Sequence, residues 1–427
     1  MVSGRLSALV HVADSSKRPG QPGPTGQTGQ TGHTGHTGQG SRVVLVLSMA
    51  NFIIGIGAFV VIGMLEPLGD AFRTAPGTTG WVLTAYAIAY AILSPVLVSA
   101  SGAVGRRRVL AFAVFTFGLA CLLCAFANSF VVLLVGRVVA AAAAGMVTPV
   151  AAAVAAGLSE PQDRANAIAK VFIGMTLAQV FGLPLGSLVA YEFGWRTAFV
   201  IVTVLAIPVS FAIWRVVPAG LAFQAVGLGD LRRTVVRGRI MLAVAFTATY
   251  LSAIYTVYTY FAPILTTGVG FTPAQISIAL LAFGLGAVVG NIAGGRLASR
   301  FGSIPTLIVL AAAQVGWLAG FSYLPGSDLS VMIFVFAWST MGWSFVSGQQ
   351  VRLIGLLPEA PSVVLALNAS AIYVGTALGS FAGSLVISKF GLDALGIAAS
   401  IGALIALVNL LASGFVSGDL PVMRRAK

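Results

Sequence analysis

The sequence predicts an all-α membrane protein, with twelve transmembrane helices arranged as two parallel six-helix repeats. Three observations predict it. Of the 427 residues, 58% are hydrophobic and only 8% are charged, where a soluble domain carries about 25% charged residues. From Val43 onward apolar runs alternate with short polar gaps, and the runs match the roughly 20 residues that a spanning helix needs. The stretch GSLVAYEFG at Gly186–Gly194 returns as GSLVISKFG at Gly383–Gly391, a shift of 197 residues that also carries Gly105 onto Gly302, Pro161 onto Pro358 and Gly182 onto Gly379.

Taken along the chain, residues 1–42 repeat a Gly-x-Thr unit and hold almost nothing apolar to bury, so a disordered tail is expected. His11, His33 and His36 lie in it, a flexible setting that argues against a metal site. Twelve runs follow, at about 43–65, 79–101, 108–127, 130–156, 165–190, 197–217, 239–263, 274–297, 303–324, 329–356, 361–386 and 393–416. They divide into an N-terminal half (43–217), a linker (218–238) and a C-terminal half (239–416), followed by a short basic tail (417–427). In transporters with such repeats the halves rock about a central site near the bilayer midplane.

The formal net charge of +13 would invite a nucleic-acid reading in a soluble protein. Here its distribution reports topology. With both termini in the cytoplasm, the inner segments hold every Lys and Arg except Arg73, Arg196 and Lys389 in outer loops and Arg137 within a run. Inner-membrane insertion follows that bias. Arg352 counts among the inner cations, and Arg137 is the lone charge well inside a span. An arginine there costs about 2.5–3.5 kcal/mol on insertion scales, so it must find water or acceptors. It is either a substrate-binding or coupling cation or a structural bridge to backbone carbonyls.

Every acidic residue falls in a tail, a loop or a span end. Glu66, at the outer end of the first run and followed by Pro67, is the nearest candidate for proton coupling; a solvated helix end is its plainer role. The runs hold no histidine and no paired carboxylates, which excludes an intramembrane enzyme. Cys121 and Cys124 lack any redox context and read as small packing residues.

Polar handles on apolar walls suit an amphiphilic, aromatic ligand. The candidates for substrate contact are Asn51, Tyr86, Arg137, Gln179, Tyr255, Tyr258, Asn368 and Tyr373, with Tyr90 and Gln349 as further handles. Asn51, Gly55 and Ala58 share a helix face, as do Tyr255 and Tyr258. Gly286, Gly290 and Gly294, and again Gly375, Gly379 and Gly383, recur every fourth residue and predict close helix approach. Gly182, Pro184 and Gly186 form a candidate hinge in the fifth run, where proline can kink a helix.

SGAVGRRRVL and its partner GRLASRFG, GRVVAAAAAGMVTP, GMTLAQVFGLPLGSL, FGWRTAF, TVYTYFAPILTTGVGFTP and ALNASAIYVGTALGS occur in an order and spacing that resemble the major facilitator superfamily. Within it, they resemble the arabinose-efflux and chloramphenicol-exporter branch of the drug:proton antiporter-1 family. The resemblance implies the major facilitator fold, alternating access, and a gating loop signature at Gly105, Arg106, Arg107, Gly295, Arg300 and Gly302. Two departures stand out. Gly57, Ala58 and Phe59 replace a Thr-Glu-Phe whose carboxylate serves coupling in the branch, and Gly102 and Ser299 replace the signature aspartate.

The expected function is therefore secondary active transport. The resemblance implies efflux of a small amphiphilic compound by proton antiport. A proton-independent facilitator or importer of a small polar metabolite is the alternative, and a membrane receptor or scaffold the non-transport one. The expected partners are a small-molecule substrate, the lipid bilayer and protons, with no nucleic acid, no cofactor and a monomeric state.

Overall fold

A computed structural model of the protein describes residues 33–160, 163–221, 233–324 and 327–418. Twelve helices among them are long and apolar enough to cross a membrane: Gly40–Phe72, Pro76–Ala100, Arg106–Ala125, Phe130–Gly157, Asn166–Phe193, Trp195–Val216, Gly238–Tyr258, Pro273–Phe301, Ser303–Tyr323, Asp328–Leu356, Val363–Phe390 and Leu392–Ser417. They are spans 1–12 below. An even number of crossings puts both ends of the bundle on one side, here called the termini face. The first helix begins at His33, ten residues before the expected start of order, so residues 33–42 belong to helix rather than to the tail; residues 1–32 lie outside the described residues.

The 197-residue repeat is visible in three dimensions. Spans 1 and 5, 2 and 4, 3 and 6 pack as pairs, and their counterparts 7 and 11, 8 and 10, 9 and 12 pack likewise. Gly194 and Gly391, one repeat apart, join spans 5 to 6 and 11 to 12 with φ of 86° and 84°. These are backbone conformations that a side chain resists. The two sets of six meet along two seams, span 2 against span 11 and span 5 against span 8.

The glycine rows act as the spacing predicted. A Cβ on Gly286, Gly290 or Gly294 of span 8 would press on the carbonyls of Phe336, Thr340 or Ser344 of span 10. The row in span 11 meets span 7 in the same way, through the carbonyls of Ala248, Ser252 and Thr256.

Spans 1, 5 and 7 are not single regular helices. Span 1 passes through a 3₁₀ segment at Val60–Met64, span 5 through a π-helical turn at Ala178–Gly182, and span 7 stops at Tyr258 before a short helix at Phe261–Val269. A proline follows each break: Pro67, Pro184 and Pro263. Lacking an N–H, each leaves the carbonyl four residues earlier without its helical donor. At Gly63 the Ser187 hydroxyl replaces that donor at 2.7 Å. Pro149 within span 4 has the same remedy, since Ser94 donates to the Gly145 carbonyl at 2.6 Å. Polar side chains on neighbouring helices thus satisfy backbone groups that lipid could not.

Candidate functional site

Arg137 is fully buried on span 4. Its guanidinium donates to the carbonyls of Gly57 at 2.5 Å and Ala58 at 2.6 Å, and more weakly to Val82 at 3.5 Å. Its plane lies 4.3 Å from the centre of the Tyr86 ring. The Gly57 and Ala58 carbonyls lie just before the 3₁₀ segment of span 1. The arginine therefore pins that irregular backbone, at Gly57 and Ala58, to span 4 and span 2.

Tyr86 begins a chain of phenols that crosses between the two sets of six. Its ring is 6.3 Å from that of Tyr90, which stacks on Tyr373 of span 11 at 3.5 Å and 19°. The Tyr90 hydroxyl lies within bonding reach of those of Tyr373 and Thr148, and Tyr86 and Tyr255 complete the surroundings of Tyr373. Tyr255 in turn faces Phe59 of span 1 at 6.5 Å and Tyr258 at 5.7 Å. Tyr258 continues into rings of Phe283 and Trp338, stacked on the first at 4.0 Å.

The structure thus brings Tyr86, Arg137, Tyr255, Tyr258 and Tyr373 together. The amides sit apart. Asn51 is buried toward the termini face, where its carbonyl oxygen accepts from Thr148 at 2.9 Å and its amide donates to the Leu47 carbonyl. Asn368 accepts from Thr247 at 2.6 Å, and Gln349 donates both to that threonine and to the Ala243 carbonyl. Gln179 lies in the π-helical turn, its carbonyl so close to Gly284 of span 8 that a Cβ there would collide. Gly182 and Gly186 pack on Ile56 and Val60 of span 1, so this candidate hinge is also a close-packed seam around the π turn.

The face opposite the termini is closed by contacts between the two sets of six. Thr84 of span 2 donates to the Ser380 hydroxyl of span 11 at 2.8 Å, Ser380 donates to the Gly80 carbonyl, and Tyr260 donates to the Ser380 carbonyl at 2.8 Å. Glu66 sits on the same face, one carboxylate oxygen accepting from Tyr191 of span 5 at 2.7 Å and from Thr266 after span 7 at 3.1 Å. It borders a cavity of about 660 Å³ shared with Asp70, Thr74, Thr79 and Trp195. Toward the termini face, by contrast, residues 91–100 of span 2 and 291–301 of span 8 are mostly exposed or half-exposed, while residues 82–90 of span 2 are mostly buried.

Of the loop signature, Arg106 is buried and Arg107 lies over the Trp214 ring at 4.8 Å. Gly302 takes a φ of 87°, whereas Gly105 does not take a positive φ. Arg300 rests beside Phe301, and Gly295 lines a shallow hollow with Arg300 and Ser299. Arg137 shares its burial with two cations nearer span ends, Arg106 and Arg352. Arg352 lies on the helix Phe345–Leu356, is buried, and donates to the Ser413 hydroxyl of span 12 at 2.9 Å. It lies one turn from the helix end, on the termini face, where the sequence counts it among the inner cations.

Twelve spanning helices in two repeats, meeting at a polar and aromatic seam that is closed at one end, define a secondary membrane transporter. The profile of the Major Facilitator Superfamily matches residues 47–359, and the chain belongs to that superfamily. It is 28% identical over 353 residues to YtbD of Bacillus subtilis (strain 168), described as an uncharacterized MFS-type transporter, covering 82% of this chain and 89% of that one. Among solved structures it resembles a bacterial homolog of the human lysosomal transporter Spinster in an inward-facing and occupied conformation. That likeness has a TM-score of 0.73 at 18% identity and covers 88% of this chain and 96% of the other. A D-xylose–proton symporter is similar at a TM-score of 0.69 and 16% identity, over 86% and 97% of the two chains. The protein is accordingly a multi-pass membrane transporter and not an enzyme.

Proposed function

We propose that the protein exports a small amphiphilic compound bearing an aromatic ring, by alternating access and in exchange for protons. The observation that carries this reading is the cluster of Tyr86, Tyr90, Tyr255 and Tyr373, contributed from both sides of the span 2–span 11 seam. Phenols offer ring faces together with hydroxyls, and no carboxylate among the described residues lies at mid-depth in a span. Such a wall accepts apolar rings with a few hydrogen-bonding groups and gives no counter-ion to a strongly cationic substrate. Efflux is supported by the resemblance to the drug:proton antiporter branch.

The termini face is the cytoplasmic one in this reading, because Arg106, Arg107, Arg108, Arg215, Arg237, Arg239, Arg296 and Arg300 lie there. The conformer described is then inward-facing, in the inner membrane. Residues 43–217 and 239–416 act as the two rocking halves, with 218–238 as their linker. Arg137, held by three carbonyls, acts as a positional cation. Glu66 carries the coupling, since its carboxylate joins the two halves at the closed end and neutralising it removes the charge to which Tyr191 and Thr266 donate.

The test is the internal pH of everted or reconstituted vesicles under an imposed proton gradient, as a panel of aromatic amphiphiles and small sugars is added, with empty vesicles as control. Proton release triggered by an aromatic member supports antiport. Substrate movement without proton flux overturns the coupling and favours the facilitator reading, for which Ala58 in place of the branch carboxylate already argues.

A further inference from the structure

The flank formed by spans 3 and 6 carries a cluster of cations and rings away from the tyrosine seam. Span 3 starts at the termini face with Arg106, Arg107 and Arg108, and span 6 ends there with Trp214 and Arg215. Arg107 lies on the Trp214 ring at 4.8 Å and Arg215 on the Phe211 ring at 4.7 Å. Phe112, one turn deeper and on the same helix face as Arg108, meets Trp214 edge to face at 6.2 Å. Phe112 and Phe211 are 62% and 58% exposed, and Trp214 is 38% exposed, on the side turned away from the seams. No carboxylate among the described residues pairs with Arg107, Arg108 or Arg215.

The second repeat provides an internal comparison. A shift of 197 residues carries Arg107, Arg108, Phe112, Phe211, Trp214 and Arg215 onto Ile304, Pro305, Val309, Val408, Leu411 and Ala412. Val309 and Val408 are equally exposed, at 65% and 57%. The same lipid-facing position in the same fold therefore needs neither the cations nor the aromatic rings. Their presence on one flank alone is specific to that flank.

We propose that the span 3–span 6 flank binds one anionic phospholipid, its phosphate held by Arg107, Arg108 and Arg215 and its acyl chains lying on Phe112, Phe211 and Trp214. Depth and charge both fit: arginines at the helix ends reach the headgroup level, while the rings one turn inward, about 5.4 Å deeper, meet the start of the acyl chains. Guanidinium groups supply paired donors that suit phosphate oxygens, and stacking on rings fixes their orientation before the lipid arrives.

Native mass spectrometry of the intact purified protein tests this, with phosphatidylglycerol, phosphatidylcholine of the same chains and inorganic phosphate as separate probes. Wild type should retain one phosphatidylglycerol that phosphatidylcholine does not replace and inorganic phosphate does not displace. The triple variant Arg107→Ile, Trp214→Leu, Arg215→Ala, which installs the residues of the second repeat, should weaken that step roughly tenfold or more. The converse variant Pro305→Arg, Leu411→Trp, Ala412→Arg, at positions that are exposed or half-exposed, should gain a second retained phosphatidylglycerol, and it answers the question even if the first variant folds poorly. Equal retention of the two lipids, displacement by inorganic phosphate, or unchanged retention in the first variant with no gain in the second would each overturn the proposal.

Discussion

Replacing Arg137 by methionine keeps most of the buried volume and removes the charge, which isolates what the guanidinium contributes. The side chain makes two short hydrogen bonds to carbonyls and lies on the Tyr86 ring. A carbonyl that loses its donor inside the bundle costs about 1–3 kcal/mol, and the ring contact adds up to about 2 kcal/mol when desolvated. Against this stands the several kcal/mol that burying the cation costs. The net loss expected is about 2–4 kcal/mol, together with a freer 3₁₀ segment in span 1. Thermal unfolding of detergent-solubilised protein should show a clearly lowered midpoint for Arg137→Met. Arg137→Lys, which reaches one carbonyl instead of two, should fall between. Transport should drop in the same order. A methionine variant with wild-type stability and wild-type transport would refute the view of Arg137 as the clamp on span 1.

Further outcomes follow from particular contacts. Glu66→Gln keeps an oxygen to accept from Tyr191 and Thr266 but loses the charge, so substrate-driven proton release should disappear while substrate still equilibrates; retained proton release would remove Glu66 from the coupling. Gly290→Ala forces a methyl against the Thr340 carbonyl and should cost about 1–3 kcal/mol, whereas Gly316→Ala, with nothing within 4 Å, should gain about 0.5–1 kcal/mol; equal midpoints for the two would contradict the packing described. The exposed Arg237–Glu359 bridge, at 2.7 Å, lowers the Glu359 pKa through the hydrogen bond from Arg237. Its contribution is present above the ordinary carboxylate value of 4.5 and is lost as pH falls through the lower folded value. A stability difference between wild type and Glu359→Gln should shrink on acidification; growth of that difference would reverse the assigned sign.

The order of spans and the repeat were legible because hydrophobic length and a fixed shift of glycines are properties of the chain alone. The close seams of Gly290 and Gly379 were legible for the same reason. The breaks were only half legible. Pro67 and Pro263 stopped the apolar runs, yet helix resumes around both, while Pro95, Pro149 and Pro208 lie within unbroken helices. Proline removes one donor wherever it stands; whether the helix tolerates that also depends on a neighbour such as Ser187 or Ser94, which the chain brings near only on folding. The site shows the same limit. Arg137 was recognisable as a buried charge in need of acceptors, with backbone carbonyls among the alternatives, but which carbonyls serve leaves no mark in the side-chain pattern. That Asn51 and Asn368 bond to Thr148 and Thr247 was not legible, because these partners are distant in sequence. The burial of Arg352 was not legible because its acceptor, Ser413, belongs to another helix.

Alternating access about the seams is tested most directly by tying the closed face shut. Thr84 and Ser380 lie on spans 2 and 11 with their hydroxyls 2.8 Å apart, so a cysteine at each would fall near the Cβ separation that a disulfide needs, about 3.5–4.5 Å. Cys121 and Cys124 are buried and stay out of the reaction. The double variant Thr84→Cys, Ser380→Cys should transport when reduced, stop when oxidised and recover when reduced again. Undiminished transport with the cross-link fully formed would contradict a mechanism in which this face must open.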